Sequence, residues 1–121
     1  MKTPCVRVIQ RIREMTIAAA INTEVIQEIL HRFRAIRKSK HGINLARDAR
    51  LISSVVLPVT DRDSVLAIEL LEKHPQLPVR DAFHAATMLH NGIETIISVD
   101  RHFDSIAKIK RVDPQDASSL L

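Results

Sequence analysis

One stretch decides the fold of this chain, and it reads VRDAFHAATMLHNGIETIISVD over residues 79–100. Its first half has helical spacing and is dense in alanine, which is small enough to let a helix approach a sheet closely. Pro78 stands where the first turn of a helix accepts proline, and Asn91-Gly92 ends the pattern. The β-branched run from Thr95 to Val99 predicts a strand covered on both faces. A helix followed by such a strand indicates a parallel α/β sheet.

The segments on either side repeat this alternation of helices with short aliphatic strands. Asn22 is predicted as the N-cap of a long helix, and Gly42 is predicted to break that helix from the next one. The predicted helices cover residues 5–15, 23–39, 43–54 and 79–90. Another helix is predicted from its apolar face of Val65, Ile68, Leu70 and Leu71, and a short one begins at Arg101. The other predicted strands cover residues 16–21, 55–59 and 109–112. We therefore predict a single three-layer α/β/α domain with parallel strands and right-handed crossovers.

The composition fits one compact domain and excludes several classes of protein. The chain has 121 residues, of which 45% are hydrophobic and 26% are charged, with 2 Gly and 5 Pro. These values exclude disordered, collagen-like and disulfide-scaffold chains. The longest aliphatic run, Ile17 to Ile21, is too short to span a bilayer, and we expect neither a membrane span nor a signal peptide. The single cysteine, Cys5, cannot form an internal disulfide and suits a reducing cytoplasm.

Charge is distributed unevenly along the chain. Residues 1–60 hold 11 Lys and Arg against 4 Asp and Glu, whereas residues 61–121 hold 7 against 10. A basic half beside an acidic half indicates a polyanion bound on one surface and carboxylates gathered elsewhere. Two differently solvated faces would produce the same asymmetry, so charge alone leaves both interpretations open. With no Trp or Tyr and only 3 Phe, the chain lacks an aromatic platform on which bases could stack.

Three carboxylates occupy positions where ordinary surface acids are less expected. Glu28 flanks the apolar face of its helix, Asp81 lies in the first turn of the alanine-rich helix, and Asp100 directly follows a predicted strand. Ligands of open parallel sheets bind beyond the carboxyl ends of the strands, where Asp100 is expected. Each acid also has a structural interpretation. Glu28 can pair with Arg32 one turn on, Asp81 can favour a helix N-terminus, and Asp100 can cap the next helix.

The same acids would suit a hard cation. Mg²⁺ or Mn²⁺ takes oxygen ligands, keeps several waters and needs two or three carboxylates together with a phosphate. Such an ion can activate water and neutralise charge on a phosphodiester. Asp104, one turn beyond Asp100, is the weakest candidate because a surface turn explains its charge. The metal hypothesis predicts that the acids converge, and the structural interpretation predicts that they lie apart.

Other kinds of site find little support in the sequence. The six histidines lack the spacing of a zinc site, and the two glycines form no phosphate-binding loop. No serine is flanked by glycines, and Cys5 has no base near it, so neither is a predicted nucleophile. His84 is predicted to be exposed or hydrogen-bonded rather than catalytic.

Three stretches of the chain resemble one known family. They read TEVIQEIL at residues 23–30, VRDAFHAA at residues 79–86 and ISVDRHFD at residues 97–104. In this order and separation they resemble the PIN-domain proteins, and among these the VapC type, the toxin ribonucleases of toxin–antitoxin pairs. Each motif alone has little specificity. The three together, over an α/β pattern that spans nearly the whole chain, carry the resemblance.

This resemblance implies an acidic cluster that binds Mg²⁺ or Mn²⁺ and cleaves single-stranded RNA with a metal-activated water. On that match Glu28, Asp81 and Asp100 are the catalytic and metal-site acids, with Asp104 as an auxiliary ligand and Ser98 as a hydrogen-bonding support. VapC-type proteins are held inactive by a cognate antitoxin that docks on the helical region. RNA or such a partner would here meet the basic side chains Arg32, Arg34, Arg37, Lys38, Arg47 and Arg50.

The resemblance also includes one departure. The family begins with a central strand that ends in an acid, whereas this chain opens on the helix expected after that strand. In the family this strand lies between the ones predicted here near Ile17 and Ile96. We therefore expect an N-terminally truncated PIN-like domain that is a poor nuclease or needs a partner strand. Exposed strand edges would also favour a homodimer or a larger oligomer.

Two other functions are left open by the sequence. One is a catalytically silent PIN-like module that binds RNA or a protein partner through its basic helices. The other is a non-nuclease α/β domain whose acids are caps and ion pairs. Distances among the carboxylates of Glu28, Asp81 and Asp100 discriminate these hypotheses, because convergence favours the PIN-like ones.

Overall fold

The computed structural model describes residues 19–116, in which short strands alternate with helices as predicted. The strands are β1 (Ala20–Asn22), β2 (Val55–Leu57), β3 (Thr95–Ile97) and β4 (Lys110–Val112). The helices are α1 (Thr23–Ala35), α2 (Ser39–Ile52), α3 (Asp61–Lys73) and α4 (Val79–His90), and a 3₁₀ helix covers Arg101–Ser105. The predicted helix 5–15 and the beginning of the predicted strand 16–21 lie outside the described residues.

The strands form two parallel ladders rather than one continuous sheet. Ile21 of β1 pairs with Val56 of β2, and Ile96 of β3 pairs with Arg111 of β4. Within residues 19–116 no strand joins β1 to β3, so each of these two strands has one edge without a strand partner. The prediction that the strand 95–99 is covered on both faces is therefore wrong, and Ile97 is 42% exposed.

A cleft of about 940 Å³ lies between the two ladders and is called here the inter-ladder cleft. The strands β1 and β3 both line it, as does α4, and apolar side chains such as Ile21, Ile96 and Met88 make up much of the lining. Asn22 and Ser98, at the carboxyl ends of β1 and β3, also line it. The cleft therefore lies where an open parallel sheet places its ligands.

The main core holds α3, α4 and the 3₁₀ helix together. The alanines predicted to let α4 pack closely, Ala82, Ala85 and Ala86, are fully buried, and they belong to one cluster with Ala67, Leu70, Leu77, Met88, Phe103, Ile106 and Ile109. On α3 the apolar face differs from the prediction, since Val65 and Ile68 are more than half exposed. The helix instead buries Ala67 against α4, because a small residue allows the two helices to approach.

The α1–α2 hairpin turns at a different residue from the one predicted. Helix α1 ends at Ala35, Arg37 takes a positive φ of 61°, and α2 begins at Ser39. The prediction that Gly42 breaks the helix is wrong, because Gly42 lies inside α2 and is buried. A Cβ atom there would lie 2.5 Å from Cβ of Phe33, so close approach of the two helices requires glycine.

Side-chain caps fix the helix starts nearest the cleft. Oδ1 of Asn22 accepts a hydrogen bond from the backbone N–H of Val25 at 3.0 Å, which confirms the predicted N-cap. Asp100 caps the 3₁₀ helix through a 2.9 Å bond from the backbone N–H of His102. These caps hold two polar side chains at the carboxyl ends of β1 and β3. None of the helices in residues 19–116 is long and apolar enough to cross a membrane.

Candidate metal centre

Asp81 is a buried acid at the start of α4. The residue is 4% exposed and lines the inter-ladder cleft. Its Oδ2 atom is buried and has no hydrogen-bond partner among residues 19–116. Buried polar atoms are nearly always satisfied, since leaving one unpaired loses the hydration that it had in water. This oxygen is therefore open to a proton or a cation.

Asp100 meets Asp81 from the end of β3. Its backbone N–H donates to Oγ of Ser98 at 3.0 Å, and the role of Ser98 as a support of the site stays a prediction. Its Oδ1 accepts from the backbone N–H of His102 and is also in contact with Nδ1 of the same residue. One ligand atom each of Asp81, Asp100 and His102 lies within 4.8 Å of the others. We call Asp81 and Asp100 the acidic pair.

Burial and mutual repulsion set the protonation of the acidic pair. Burial raises the pKa of Asp81 to about 7, and the hydrogen bond and negative charge of Asp100 add to the shift. Burial also acts against ionisation of Asp100, but hydrogen bonds with Asp81 and His102 outweigh it and lower the pKa of that carboxyl. Near neutral pH the pair therefore holds a proton for part of the time, and a cation would compete for its place.

The acidic pair fits a divalent cation of the hard type. Two carboxylates supply the oxygen ligands that Mg²⁺ and Mn²⁺ prefer, with water completing the shell. A positive charge there would satisfy Oδ2 of Asp81 and remove the repulsion that raises the pKa of this residue. Asp81 and Asp100 are the residues that would hold such an ion, and His102 is held beside them by its contact with Asp100.

Glu28 lines the same cleft but is not part of the group formed by Asp81, Asp100 and His102. Its Oε1 atom lies 2.8 Å from Nη2 of Arg32 and 3.3 Å from Nη1 of Arg80. The pair with Arg32 is the structural interpretation offered by the sequence, whereas the contact with Arg80 joins α1 to α4. The role of Glu28 as a metal ligand stays a prediction.

Asn22 and His84 connect the two walls of the cleft, a feature that the sequence did not indicate. Nδ2 of Asn22 lies 2.9 Å from Nδ1 of His84, and Nε2 of His84 lies 3.8 Å from Oε2 of Glu28. Burial lowers the pKa of His84, despite the nearby charge of Glu28. His84 is thus hydrogen-bonded, as predicted. Its partner lies on β1, and no local pattern identifies a contact between residues so far apart in sequence.

Asp104 faces Arg111 instead of the acidic pair. Nε of Arg111 donates to its Oδ1 at 2.9 Å, and Nη2 lies 3.4 Å from its Oδ2. Nη1 of Arg111 also donates to the backbone oxygen of Ser98 at 3.0 Å. Asp104 therefore helps to fix β4 beside the end of β3, and its role as an auxiliary ligand stays a prediction.

The predicted basic residues lie on the α1–α2 hairpin, where all of them are exposed: Arg32, Arg34, Arg37, Lys38, Arg47 and Arg50. Arg32 lines the inter-ladder cleft. Two large apolar residues of the hairpin, Ile36 and Leu51, are 60% and 82% exposed. The hairpin therefore presents a mixed basic and apolar surface, which suits either a polyanion or a protein partner.

Comparison with known proteins assigns the family. The sequence model of the PIN domain matches residues 4–109. The chain belongs to the PIN-domain family. VapC ribonuclease Mb1869c of Mycobacterium bovis (strain ATCC BAA-935 / AF2122/97) and ribonuclease VapC13 of Mycobacterium tuberculosis (strain ATCC 25618 / H37Rv) are each 40% identical to this PIN domain over 92 residues, or 75% of the chain and 70% of each relative.

A third relative extends the match over the whole of this PIN domain. Ribonuclease VapC7 of Mycobacterium tuberculosis is 30% identical over 129 residues, which cover 100% of the chain and 83% of that protein. No solved structure matches the chain significantly. The resemblance to the VapC type that the three motifs indicated is confirmed.

Proposed function

We propose that this PIN domain is a metal-dependent endoribonuclease that cleaves single-stranded RNA and is the toxin of a toxin–antitoxin pair. The acidic pair carries the proposal, because an unpartnered carboxylate oxygen of Asp81 lies beside Asp100 in a cleft. Unrelated structural acids would have no reason to converge and leave one oxygen unsatisfied. The ribonuclease names of the relatives agree with this chemistry.

Asp81 and Asp100 are the residues that hold Mg²⁺ or Mn²⁺ in this proposal. When bound, the ion supplies a polarised water and offsets negative charge on the phosphodiester. Ser98 fixes the backbone at Asp100, and His102 restrains the Asp100 carboxylate. Glu28, which lines the same cleft, is a further proposed metal-site acid. If two carboxylates are the whole ligand set, metal binding is weak and cleavage is slow.

The α1–α2 hairpin is the proposed surface for RNA and for a cognate antitoxin. Its exposed arginines suit the phosphate backbone, and its exposed Ile36 and Leu51 suit an apolar protein surface. Competition between the two ligands for one hairpin would keep the enzyme inactive. Within residues 19–116 one edge of β1 and one edge of β3 have no strand partner, and we propose that such edges favour a homodimer or a larger oligomer. A reducing cytoplasm is the compartment that we propose.

Cleavage of a fluorophore- and quencher-labelled single-stranded RNA tests the proposed function. We expect slow cleavage with Mn²⁺, none with EDTA, and a rate lowered by about 100-fold or more in Asp81→Asn and Asp100→Asn, as for removal of metal-site groups. Asp116→Asn, an exposed acid outside the cleft, is the matched control and should cleave at the wild-type rate. Equal rates for Asp81→Asn and Asp116→Asn would refute the proposal.

A catalytically silent module that binds RNA or a protein is the second candidate. One observation favours it: in the described part of the chain the group of possible ligands contains two carboxylates, and Glu28 is engaged by Arg32 and Arg80. Calorimetry with MnCl₂ separates the candidates when it is combined with the cleavage assay. Binding of Mn²⁺ without cleavage would favour the silent module, whereas binding with cleavage would favour the enzyme.

A further inference from the structure

Glu28 gathers two guanidinium groups at the inter-ladder cleft. Arg32 approaches from the same helix, one turn on, and Arg80 approaches from α4. Both contact the same oxygen, Oε1. Two positive charges around one negative charge leave an excess of one positive charge. A single ion pair has no such excess, because its two charges cancel.

The two guanidinium groups line the same cleft as the acidic pair. Arg80 directly precedes Asp81 in the first turn of α4, and Arg32, Arg80, Asp81 and Asp100 all line the cleft. The side chains of Arg80 and Arg32 are 43% and 63% exposed, so donors remain open to a ligand. An arginine has five N–H donors in a planar fork, and Glu28 engages few of them.

Asn22 and His84 form a chain of contacts that leads to Glu28. Because Oδ1 of Asn22 accepts from the N–H of Val25, its amide group Nδ2 is the one that faces His84. Nδ1 of His84 is therefore the acceptor, and the ring proton lies on Nε2, which faces Oε2 of Glu28 at 3.8 Å. Because Asn22 caps α1 through its oxygen, it fixes the tautomer of His84, whose Nε2–H then faces the carboxylate of Glu28.

We propose that Arg80 and Arg32, aligned by Glu28, bind a phosphate group of the RNA backbone next to the acidic pair, and that His84 and Asn22 are positioning residues for Glu28. This inference rests on the proposed function and names how its substrate is held. Two carboxylates repel the negative charge of an approaching phosphodiester. Guanidinium N–H donors in the same cleft attract the phosphate and offset this repulsion. Glu28 acts in this scheme by aligning the arginines.

Salt-dependent RNA binding tests the role of Arg80. The probe is a fluorescein-labelled single-stranded RNA oligonucleotide, measured by anisotropy in EDTA so that no cleavage occurs. Each phosphate contact on a single strand contributes about 0.7 to the slope of log K against log[salt]. We expect Arg80→Gln to lower that slope by about 0.7 and to weaken binding about tenfold, as for loss of a hydrogen bond to a charged group.

Two comparisons control this measurement. Arg62→Gln removes an exposed arginine of α3 that does not line the cleft, and it should leave the slope unchanged. Arg80→Lys keeps the charge but not the fork, so it should keep the slope and weaken the affinity. Equal slopes and affinities for Arg80→Gln and Arg62→Gln would overturn the inference.

The sign of the Glu28→Gln effect tests the aligning role. Removing a negative charge near a polyanion should tighten RNA binding if charge alone matters. Loss of the anchor for Arg80 and Arg32 should weaken it, which is the result that we expect. Glu69→Gln on the exposed part of α3 is the matched control and should leave binding unchanged. Tighter binding in Glu28→Gln than in wild type would overturn the role assigned to Glu28.

His84 is tested by loss and rescue. We expect His84→Ala to weaken RNA binding and to lower its salt slope, and His84→Gln, which keeps a donor for Glu28, to restore both. Asn22→Ser keeps an oxygen for the helix cap but lacks the amide donor to His84. It should weaken RNA binding and lower the salt slope as His84→Ala does, and it replaces His84→Ala as the test if His84→Ala folds poorly. Unchanged salt slopes in both His84→Ala and Asn22→Ser would overturn the positioning role.

Calorimetry with MnCl₂ distinguishes failure of this inference from failure of the proposed function. Wild type and Arg80→Gln should bind Mn²⁺ equally. If wild type binds Mn²⁺ and cleaves RNA while Arg80→Gln keeps the wild-type salt slope, the inference fails and the proposed function stands. If wild type takes up no Mn²⁺, the proposed function fails, whereas the anisotropy result still decides the role of Arg80.

Discussion

A carboxylate oxygen of Asp81 lies within 4.8 Å of one of Asp100, although Asp81 is in the first turn of α4 and Asp100 follows β3. The pKa of Asp81 rises to about 7 because the residue is buried beside a second acid. The folded protein therefore retains a proton that the unfolded chain releases. Because of the raised pKa of Asp81, the stability of the fold should depend on pH and on a bound cation.

In the absence of metal, stability should fall as pH rises through the titration of Asp81. Its pKa is 3.8 in the reference state and about 7 in the fold, so its contribution is complete below 3.8 and is lost as pH rises through 7. Asp81→Asn should remove this dependence and stabilise the protein at pH 8 by roughly 2 kcal/mol. Urea unfolding in EDTA at pH 5 and pH 8 measures it. A wild-type pH dependence in Asp81→Asn would contradict the prediction, and Asp116→Asn is the control.

Divalent cations should raise the melting temperature, and more at pH 8 than at pH 5. At a concentration of about 100 times Kd, the gain is about 2.7 kcal/mol, which amounts to several degrees for a domain of this size. Scanning fluorimetry with MnCl₂ and with MgCl₂ measures the shift. Asp81→Asn and Asp100→Asn should abolish most of it, while the exposed Glu72→Gln should not. An equal shift in all three variants would mean that the ion binds elsewhere.

Asp63→Asn should destabilise the fold away from the cleft. Asp63 is buried, and hydrogen bonds from Thr60 and His90 outweigh that burial and lower its pKa. Its contribution is present above the unfolded pKa of 3.8 and is lost as pH falls through the lowered value. We expect a loss of about 2–3 kcal/mol at pH 7 in urea unfolding. Asp61→Asn, exposed in the same turn, should cost far less, and equal losses would refute this assignment.

Gly42→Ala should destabilise the α1–α2 hairpin. The new Cβ would lie 2.5 Å from Cβ of Phe33, so one of the helices has to move. Overpacking of this kind costs about 1–3 kcal/mol. Urea unfolding monitored by circular dichroism measures the loss. Gly92→Ala is the contrast, because no atom lies within 4 Å of its Cβ and only the positive φ of 67° opposes it. A neutral Gly42→Ala would show that the hairpin adjusts freely.

Local patterns predicted the elements whose determinants lie close together in sequence. The helix 79–90 has its proline, its small face and its Asn91-Gly92 end within one stretch, and its bounds agree with the structure. The Asn22 cap was predicted for the same reason. Asp81 and Asp100 were singled out because each was predicted to lie beside a buried element, and folding does bring them together.

Tertiary contacts decide what the sequence could not show. Gly42 resembles a helix breaker until its contact with Phe33 on the neighbouring helix is known. Glu28 and Arg32 are visible as a local pair, whereas Arg80 reaches Glu28 only after α1 and α4 have packed. The same holds for Asn22 and His84, which lie far apart in the chain.

Within residues 19–116, side chains rather than strand pairing join β1 and α1 to α4 across the inter-ladder cleft, through the contacts of Asn22 with His84 and of Glu28 with Arg80. Side-chain contacts of this kind break in local openings that cost less than global unfolding. An RNA strand that contacts both the arginines paired with Glu28 and the acidic pair would hold the two sides of the cleft together. Amide exchange on both sides of the cleft should therefore slow together when RNA is added, because a ligand that binds the folded form stabilises it against opening.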